Sequence, residues 1–229
     1  MAGKPHFTPA LFGFLRDLEQ NNDRNWFAAH KARYVAQVRD PMLDFIAGFA
    51  PHLKRISGRY VADPRANGGS LFRIQRDIRF AKDKRPYKTN AGAQFRHEAA
   101  RDAHAPGFYL HLEPGGVFAA GGVWHPDGPA LARVRDAIAG DPAGWRRVTA
   151  AKALGPRGEL AGESLKRPPR GFDPEHPLID DIRRKDFFAL ARFTEDEACA
   201  PGFMDDFAAT CRGFAPLARF LTRALDLPW

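Results

Sequence analysis

The apolar residues of this chain change period once, from helical to alternating, and that change limits the fold more than any other feature of the sequence. Thr8 precedes Pro9, and Leu11, Phe12, Phe14, Leu15 and Leu18 then recur on one helical face, a cap-and-proline start followed by an amphipathic helix. Asp23 opens a second helix whose apolar side holds Trp26, Phe27, His30, Tyr34, Val35 and Val38. Asp40-Pro41 repeats the start signal for a third, which runs through Met42, Phe45, Ile46 and Phe49 to about Leu53.

Beyond the turn-forming stretch 63–69, Phe72, Ile74, Ile78 and Phe80 alternate with Arg73, Gln75, Asp77 and Arg79. This pattern predicts a strand over 72–80 with one buried face. Residues 108–112 and 117–120 predict two more strands joined by a hairpin turn at 113–116, and 94–96 a short fourth. Asp127-Gly128-Pro129 and Asp141-Pro142 each signal a helix start, and Gly155-Pro156 a stop. An irregular loop over 166–177 then leads to helical patterns around 178–185 and 204–227. Helices on both sides of a strand meander predict an α+β fold, a central antiparallel sheet flanked by N-terminal and C-terminal helices. With no repeat and no low-complexity linker, the 229 residues read as one domain, 1–229.

Charge is concentrated where the period changes. Residues 54–101 hold thirteen Lys/Arg against four Asp/Glu, a net +9, whereas the rest of the chain carries 22 against 23. An excess confined to one window on a near-neutral body points to a particular anion-facing surface rather than to general polyanion affinity, with a plainly solvated basic face as the alternative. Two cysteines, Cys199 and Cys211, exclude a disulfide scaffold and a four-cysteine zinc site. The first residues lack the apolar core of a secretion signal, and no apolar run approaches the roughly 20 residues of a membrane helix. The expected setting is the cytoplasm, with no membrane partner.

The segment 72–90 is the densest basic stretch. As a strand, it would project Arg73, Gln75, Asp77 and Arg79 from one face at intervals of about 7 Å. On the neighbouring strand Tyr109, His111 and Glu113 share a face in the same way, so that two strands would present one polar surface, either a wet face or a site. Arg76 breaks the alternation and requires a bulge or a carboxylate partner. The loop 82–88 follows with four cations, and it holds three of only nine lysines in a chain with 26 arginines. Pro86 fixes the backbone ahead of Tyr87, whose ring beside Lys88 could lie on a base or sugar.

These segments resemble a known family. Asn25-Trp26-Phe27 with Lys31 and Tyr34, the whole of 72–90 with its Arg76-Asp77-Ile78-Arg79-Phe80-Ala81-Lys82-Asp83-Lys84 core, 107–116 with Gly121-Gly122, and 165–177 are similar to the bacterial and fungal family called domain of unknown function 2461. The resemblance covers nearly the whole chain. It implies one domain and marks these motifs as the family's own, while it carries over no catalytic residue and names no cofactor. His30 departs from the small polar residue that the resemblance implies there.

Other patterns carry less. His97, His104 and His111, spaced by seven, with Glu98 and Asp102, match no metal-ligand signature, so no metal site is assigned. Cys199 and Cys211 lack a neighbouring base and read as buried thiols. Gly115-Gly116 and Gly121-Gly122 are not followed by the Gly-Lys-Ser/Thr of a phosphate loop and read as a hairpin turn and a close backbone approach near Trp124. Trp26 and Phe27 read as core, with Trp26 as a pocket wall in the alternative.

The residues therefore predict a basic polar pocket that binds an anionic small molecule, a phosphate- or carboxylate-bearing metabolite or a nucleotide. Arg73, Arg79, Lys82, Lys84, Tyr87 and Lys88 would hold it; Asp77, Tyr109 and His111 would be the catalytic candidates, Asp77 orienting the arginines or acting as a base and the other two carrying protons. A nucleic-acid-binding module is the first alternative. A structural or interaction domain, in which Arg–Asp pairs only brace the fold, is the second.

Overall fold

The computed structural model describes residues 4–99 and 105–229. Its helices, in chain order, are α1 (Pro9–Gln20), α2 (Arg24–Ala29), α3 (Lys31–Tyr34), α4 (Asp40–Ile56), α5 (Gly128–Gly140), α6 (Pro142–Thr149), α7 (Ala151–Leu154), α8 (Ile179–Ile182), α9 (Glu195–Ala198) and α10 (Phe203–Ala224). Its strands are β1 (Ala91–Arg96), β2 (Gly107–Leu112), β3 (Val117–Val123), β4 (Glu159–Ala161) and β5 (Phe187–Phe193). All pair antiparallel in one sheet of order β1-β2-β3-β5-β4. The fold is α+β, as the change of period predicts.

The sheet register sorts the side chains onto two faces. Phe95, Phe108, Gly121 and Ala189 stand in one row across the strands, and Ala93, Leu110, Ala119 and Ala191 in the next. These rows belong to a hydrophobic cluster that also takes in Phe45 and Phe49 of α4 and Phe207, Phe214 and Leu221 of α10. Close approach explains Gly121, because a side chain there would strike the Cβ of Phe214 at 2.9 Å. Gly122 adopts φ +139° with Phe187 O against its backbone, so the glycine pair provides the close approach expected of it. The turn at Glu113–Gly116 also forms as expected, with Gly116 N–H donating to Glu113 O at 2.9 Å and Gly115 at φ +73°.

Helix starts follow the sequence at Asp23, Asp127 and Asp141, whose carboxylates each accept from backbone N–H groups of the first turn. Asp40-Pro41 does not start a new helix. The chain passes from α3 through a π-helical stretch, Val35–Arg39, directly into α4. Asp40 N–H bonds to Val35 O, five residues back, just before Pro41, which has no N–H to give. The wider turn thus ends just before the proline, which cannot continue the ladder.

The expected strand over 72–80 is absent. Leu71 bridges Ala93 and Phe72 N–H donates to Gly92 O at 2.9 Å, but past this point β1 has begun and the chain's own return arm takes its place. Arg76 N–H donates to Pro86 O and Lys88 N–H to Ile74 O, both at 2.8 Å, closing a narrow ribbon around the isolated Gln75–Tyr87 bridge. Of the four apolar residues that alternate there, Ile74 is buried, while Phe72 is exposed at the edge and Phe80 is 94% exposed. Alternation alone does not make a strand; the segment also needs a neighbour with free backbone groups. Conversely, β4 and β5 carried no recognised signal, although the apolar run Phe187–Phe193, bounded by Lys185-Asp186 and Thr194, is of strand length.

A candidate ligand-binding cleft

The face of the sheet turned away from α4 and α10 holds the complementary rows. Gly92, His111, Phe118 and Arg192 form one, and Gln94, Tyr109, Ala120 and Leu190 the next. Above them lies a cleft of about 550 Å³. Phe118, Phe188, Leu190 and Trp124 give it apolar walls, Phe72 and Lys88 close it on the side of the irregular segment, and Tyr109 and His111 reach it from β2.

A line of hydrogen bonds runs along β2. Tyr109, His111 and Glu113 share a face because side chains alternate along a strand. His111 Nε2–H donates to Glu113 Oε2 at 3.1 Å, which leaves Nδ1 to accept from the Tyr109 hydroxyl at 3.0 Å. Thr89 Oγ1 donates to the other Glu113 oxygen at 3.1 Å and fixes the carboxylate from outside. Phe118, opposite His111 in the register, stacks on the imidazole with 4.5 Å between centroids. Burial lowers the pKa of His111 against the opposing pull of Glu113 and holds the ring neutral, while burial raises the Tyr109 phenol and keeps it protonated.

Lys88 stands half-buried with its Nζ 5.2 Å from the centroid of Phe72. Burial, reinforced by the positive charge of Arg73, lowers its pKa. Its ammonium has given up water to an aromatic face, and a ligand anion would return a counter-charge.

Of the residues predicted from the sequence, the structure brings Lys88, Tyr109 and His111 together around this cleft. The others lie elsewhere. Asp77 pairs with Arg79 at 2.7 Å on the exposed ribbon, where the guanidinium holds its carboxyl down to about 2. Lys84 donates to Ile78 O at 3.0 Å, Lys82 and Arg73 are exposed, and Tyr87 stacks on Phe27 with 4.1 Å between centroids, tying the ribbon to α2. Arg76 pairs with a carboxylate, Asp83 at 2.8 Å, but on the partly exposed ribbon and not on a buried strand face as the alternation implied. Trp26 stacks on His30 and meets Phe14, so it serves packing.

Of the histidine series, only His97 and His111 are described, and they serve different local contacts. His97 is buried and contacts Pro228 O through Nε2 at 2.7 Å. His104 and Asp102 lie outside the described residues. Among the described residues no three His, Cys, Asp or Glu side chains gather as metal ligands. Cys211 is buried and Cys199 partly so, and burial raises both thiols.

The residues that the sequence reading missed are the apolar walls. Phe118 sat within a recognised strand, but its role depended on which face was open. Phe188 and Leu190 were hidden by the unrecognised β5. A family model described as a conserved hypothetical protein, DUF2461, matches residues 10–220, which include the cleft and all four segments that carry the resemblance. No curated protein matches the chain.

Proposed function

The chain belongs to the DUF2461 family, described only as conserved hypothetical proteins, and on the geometry of its cleft we propose that it binds a small organic anion with a flat apolar body. The single observation that carries this reading is the hydrogen-bonded line Tyr109–His111–Glu113 ending in a largely aromatic cleft beside Lys88. An apolar body would lie between Phe72, Phe118, Phe188 and Trp124, and its carboxylate or phosphate would take the Lys88 ammonium. The same line supplies a proton acceptor. A ligand proton passing to Tyr109 Oη releases the phenolic proton to His111 Nδ1, and the imidazolium so formed is held against Glu113. A site of this kind serves binding without chemistry or proton transfer equally well.

Part of the basic window is spent on local ion pairs. Arg59 pairs with Glu98, Arg65 with Asp63, Arg79 with Asp77, and Arg76 and Arg85 with Asp83. For the ribbon itself these pairs support the bracing role. Among the described residues no helix is long and apolar enough to cross a membrane; a cytoplasmic setting is part of this reading, and so is a single domain spanning 1–229, which the continuous core supports.

Thermal unfolding in the presence of aromatic carboxylates and phosphorylated aromatics tests the proposal. A ligand at a hundred times its Kd stabilises by about 2.7 kcal/mol, and Lys88→Ala and Tyr109→Phe should each reduce the shift. If no such compound raises Tm at millimolar concentration, or the shift survives Lys88→Ala, the cleft reading fails. Single-stranded oligonucleotides at low salt provide the contrast, since binding to them that falls steeply with salt would favour the nucleic-acid module.

A further inference from the structure

A second cleft, of about 450 Å³, lies beside the first and is lined by His125, Asp127, Pro129, Ala130, Arg133, Leu225 and Leu227, among others. Among the described residues, the non-glycine positions with positive φ are His125 at +47° and Asp226 at +58°. Asp226 is the left-handed residue of the cap that closes α10, its N–H donating to Arg223 O and that of Leu227 to Thr222 O, both at 3.0 Å. His125 has no such role and lines the cleft. Non-glycine residues avoid this conformation unless the surroundings impose it, and such strain gathers at functional sites.

At His125 the imposing group is Asp186. The His125 backbone N–H donates to Asp186 Oδ1 at 2.8 Å, and the ring Nδ1 lies 3.0 Å from the same oxygen. The second oxygen of Asp186 accepts from Glu163 N–H at 3.0 Å. Asp186 is buried at 2% exposure, whereas the His125 side chain is 47% exposed. A buried carboxylate thus faces one ring nitrogen while the ring keeps an open side toward solvent and the cleft. Arg133, which also lines the cleft, pairs with Asp226 at 3.1 Å, both side chains largely exposed. Such a pair is weakly held, and a ligand anion can replace the Asp226 carboxylate on the guanidinium.

We propose that His125, Asp186 and Arg133 form a second site, in which Arg133 holds the carboxylate or phosphate of a small hydroxylated anion and His125 acts as general base on its hydroxyl or on a water beside it. With the ring proton on Nδ1, 3.0 Å from Asp186 Oδ1, the Nε2 lone pair takes the proton. The O–H bond breaks, an N–H bond forms, and the imidazolium faces the buried carboxylate. The site shares no side chain with the Tyr109–His111–Glu113 line and does not rest on it.

Diethyl pyrocarbonate reports on the free nitrogen. His125 Nε2 attacks one of its carbonyl carbons, the bond to the central oxygen breaks, Nδ1 loses its proton, and the monoethyl carbonate that leaves takes up a proton and decomposes to ethanol and carbon dioxide. Peptide mapping should find His125 modified on the order of tenfold faster than N-acetylhistidine. Inorganic phosphate or acetate should slow the reaction in the unsubstituted protein but not in Arg133→Ala. Protection by phosphate alone assigns a phosphate ligand, and protection by acetate alone a carboxylate. Asp186→Asn should bring the rate down to that of N-acetylhistidine, with circular dichroism to establish that the variant folds; the Arg133→Ala arm does not depend on it. Modification no faster than N-acetylhistidine, absence of protection by both anions, or protection that persists in Arg133→Ala would each overturn the site.

Discussion

The Tyr109 hydroxyl occupies the space that a side chain on Gly92 would fill, so the short contact between Tyr109 and His111 depends on a glycine in the neighbouring strand. Gly92 stands opposite His111 in the register, and a Cβ there would collide with the phenol oxygen. The absence of a side chain on β1 is thus part of how β2 presents its polar line.

Gly92→Ala should therefore push the phenol away from His111 and cost about 1–3 kcal/mol of stability by overpacking. Urea unfolding measures the loss, and the imidazole nitrogen shifts of His111 report the broken hydrogen bond. An alanine accepted with unchanged stability and unchanged shifts would mean that Tyr109 does not rest over Gly92.

Acid should loosen the fold through His111. Its folded pKa lies below the unfolded value of 6.5, because burial outweighs Glu113, so below that pH the unfolded chain binds more protons than the native one. The neutral ring's contribution is fully present above 6.5 and is lost as the pH falls from 6.5 toward the folded pKa. His6 and His52 are lowered as well, also chiefly by burial, and add to the same slope. His111→Gln should flatten the dependence of Tm on pH between 7 and 5; an equally steep curve in that variant would remove His111 from the account.

Asp83→Asn should act locally. The Asp83 carboxylate is held down first by the Arg85 side chain, then by the Arg85 backbone N–H and by Arg76, and so ties the ribbon across its tip. Without it, trypsin should cut faster after Lys82 and Lys84, while Tm hardly moves because the ribbon tip contributes little to the core. A large drop in Tm would show instead that the ribbon supports the sheet.

Gly121→Ala should also weaken the fold. Its Cβ would meet Phe214 at 2.9 Å and Phe108 at 3.1 Å in the layer where β3 packs on α10. A destabilisation of about 1–3 kcal/mol is expected, measured by urea unfolding. A neutral substitution would mean that α10 can move off the sheet.

Much of the fold was written in local chemistry, since caps such as Asp23, Asp127 and Asp141 and the 113–116 hairpin depend on few residues. The segment 72–80 misled because its alternation resembles that of a strand, whereas pairing depends on residues far along the chain. Its cations suggested the site, yet Arg76 and Arg79 pair with the carboxylates of Asp83 and Asp77 a few residues away. Tyr109 and His111 were legible from alternation within one strand. Their apolar surroundings were not, because Phe188 and Leu190 reach the cleft only through the β3–β5 pairing, which joins residues about seventy positions apart.

The irregular stretch between α4 and β1 also guards the sheet. Arg59, Val61, Ser70 and Phe72 spend backbone groups on the outer side of β1 and its extension, Val61 and Phe72 donating to Arg96 O and Gly92 O and Arg59 O and Ser70 O accepting from Glu98 and Gln94, while the opposite margin ends in β4, only three residues long. Amides that could template another chain are thereby covered at one margin and few at the other. A proteolytic nick or a proline near Leu71 would do more than disturb the cleft wall: it would bare the flank of β1 and invite one copy of the chain to pair edge to edge with the next.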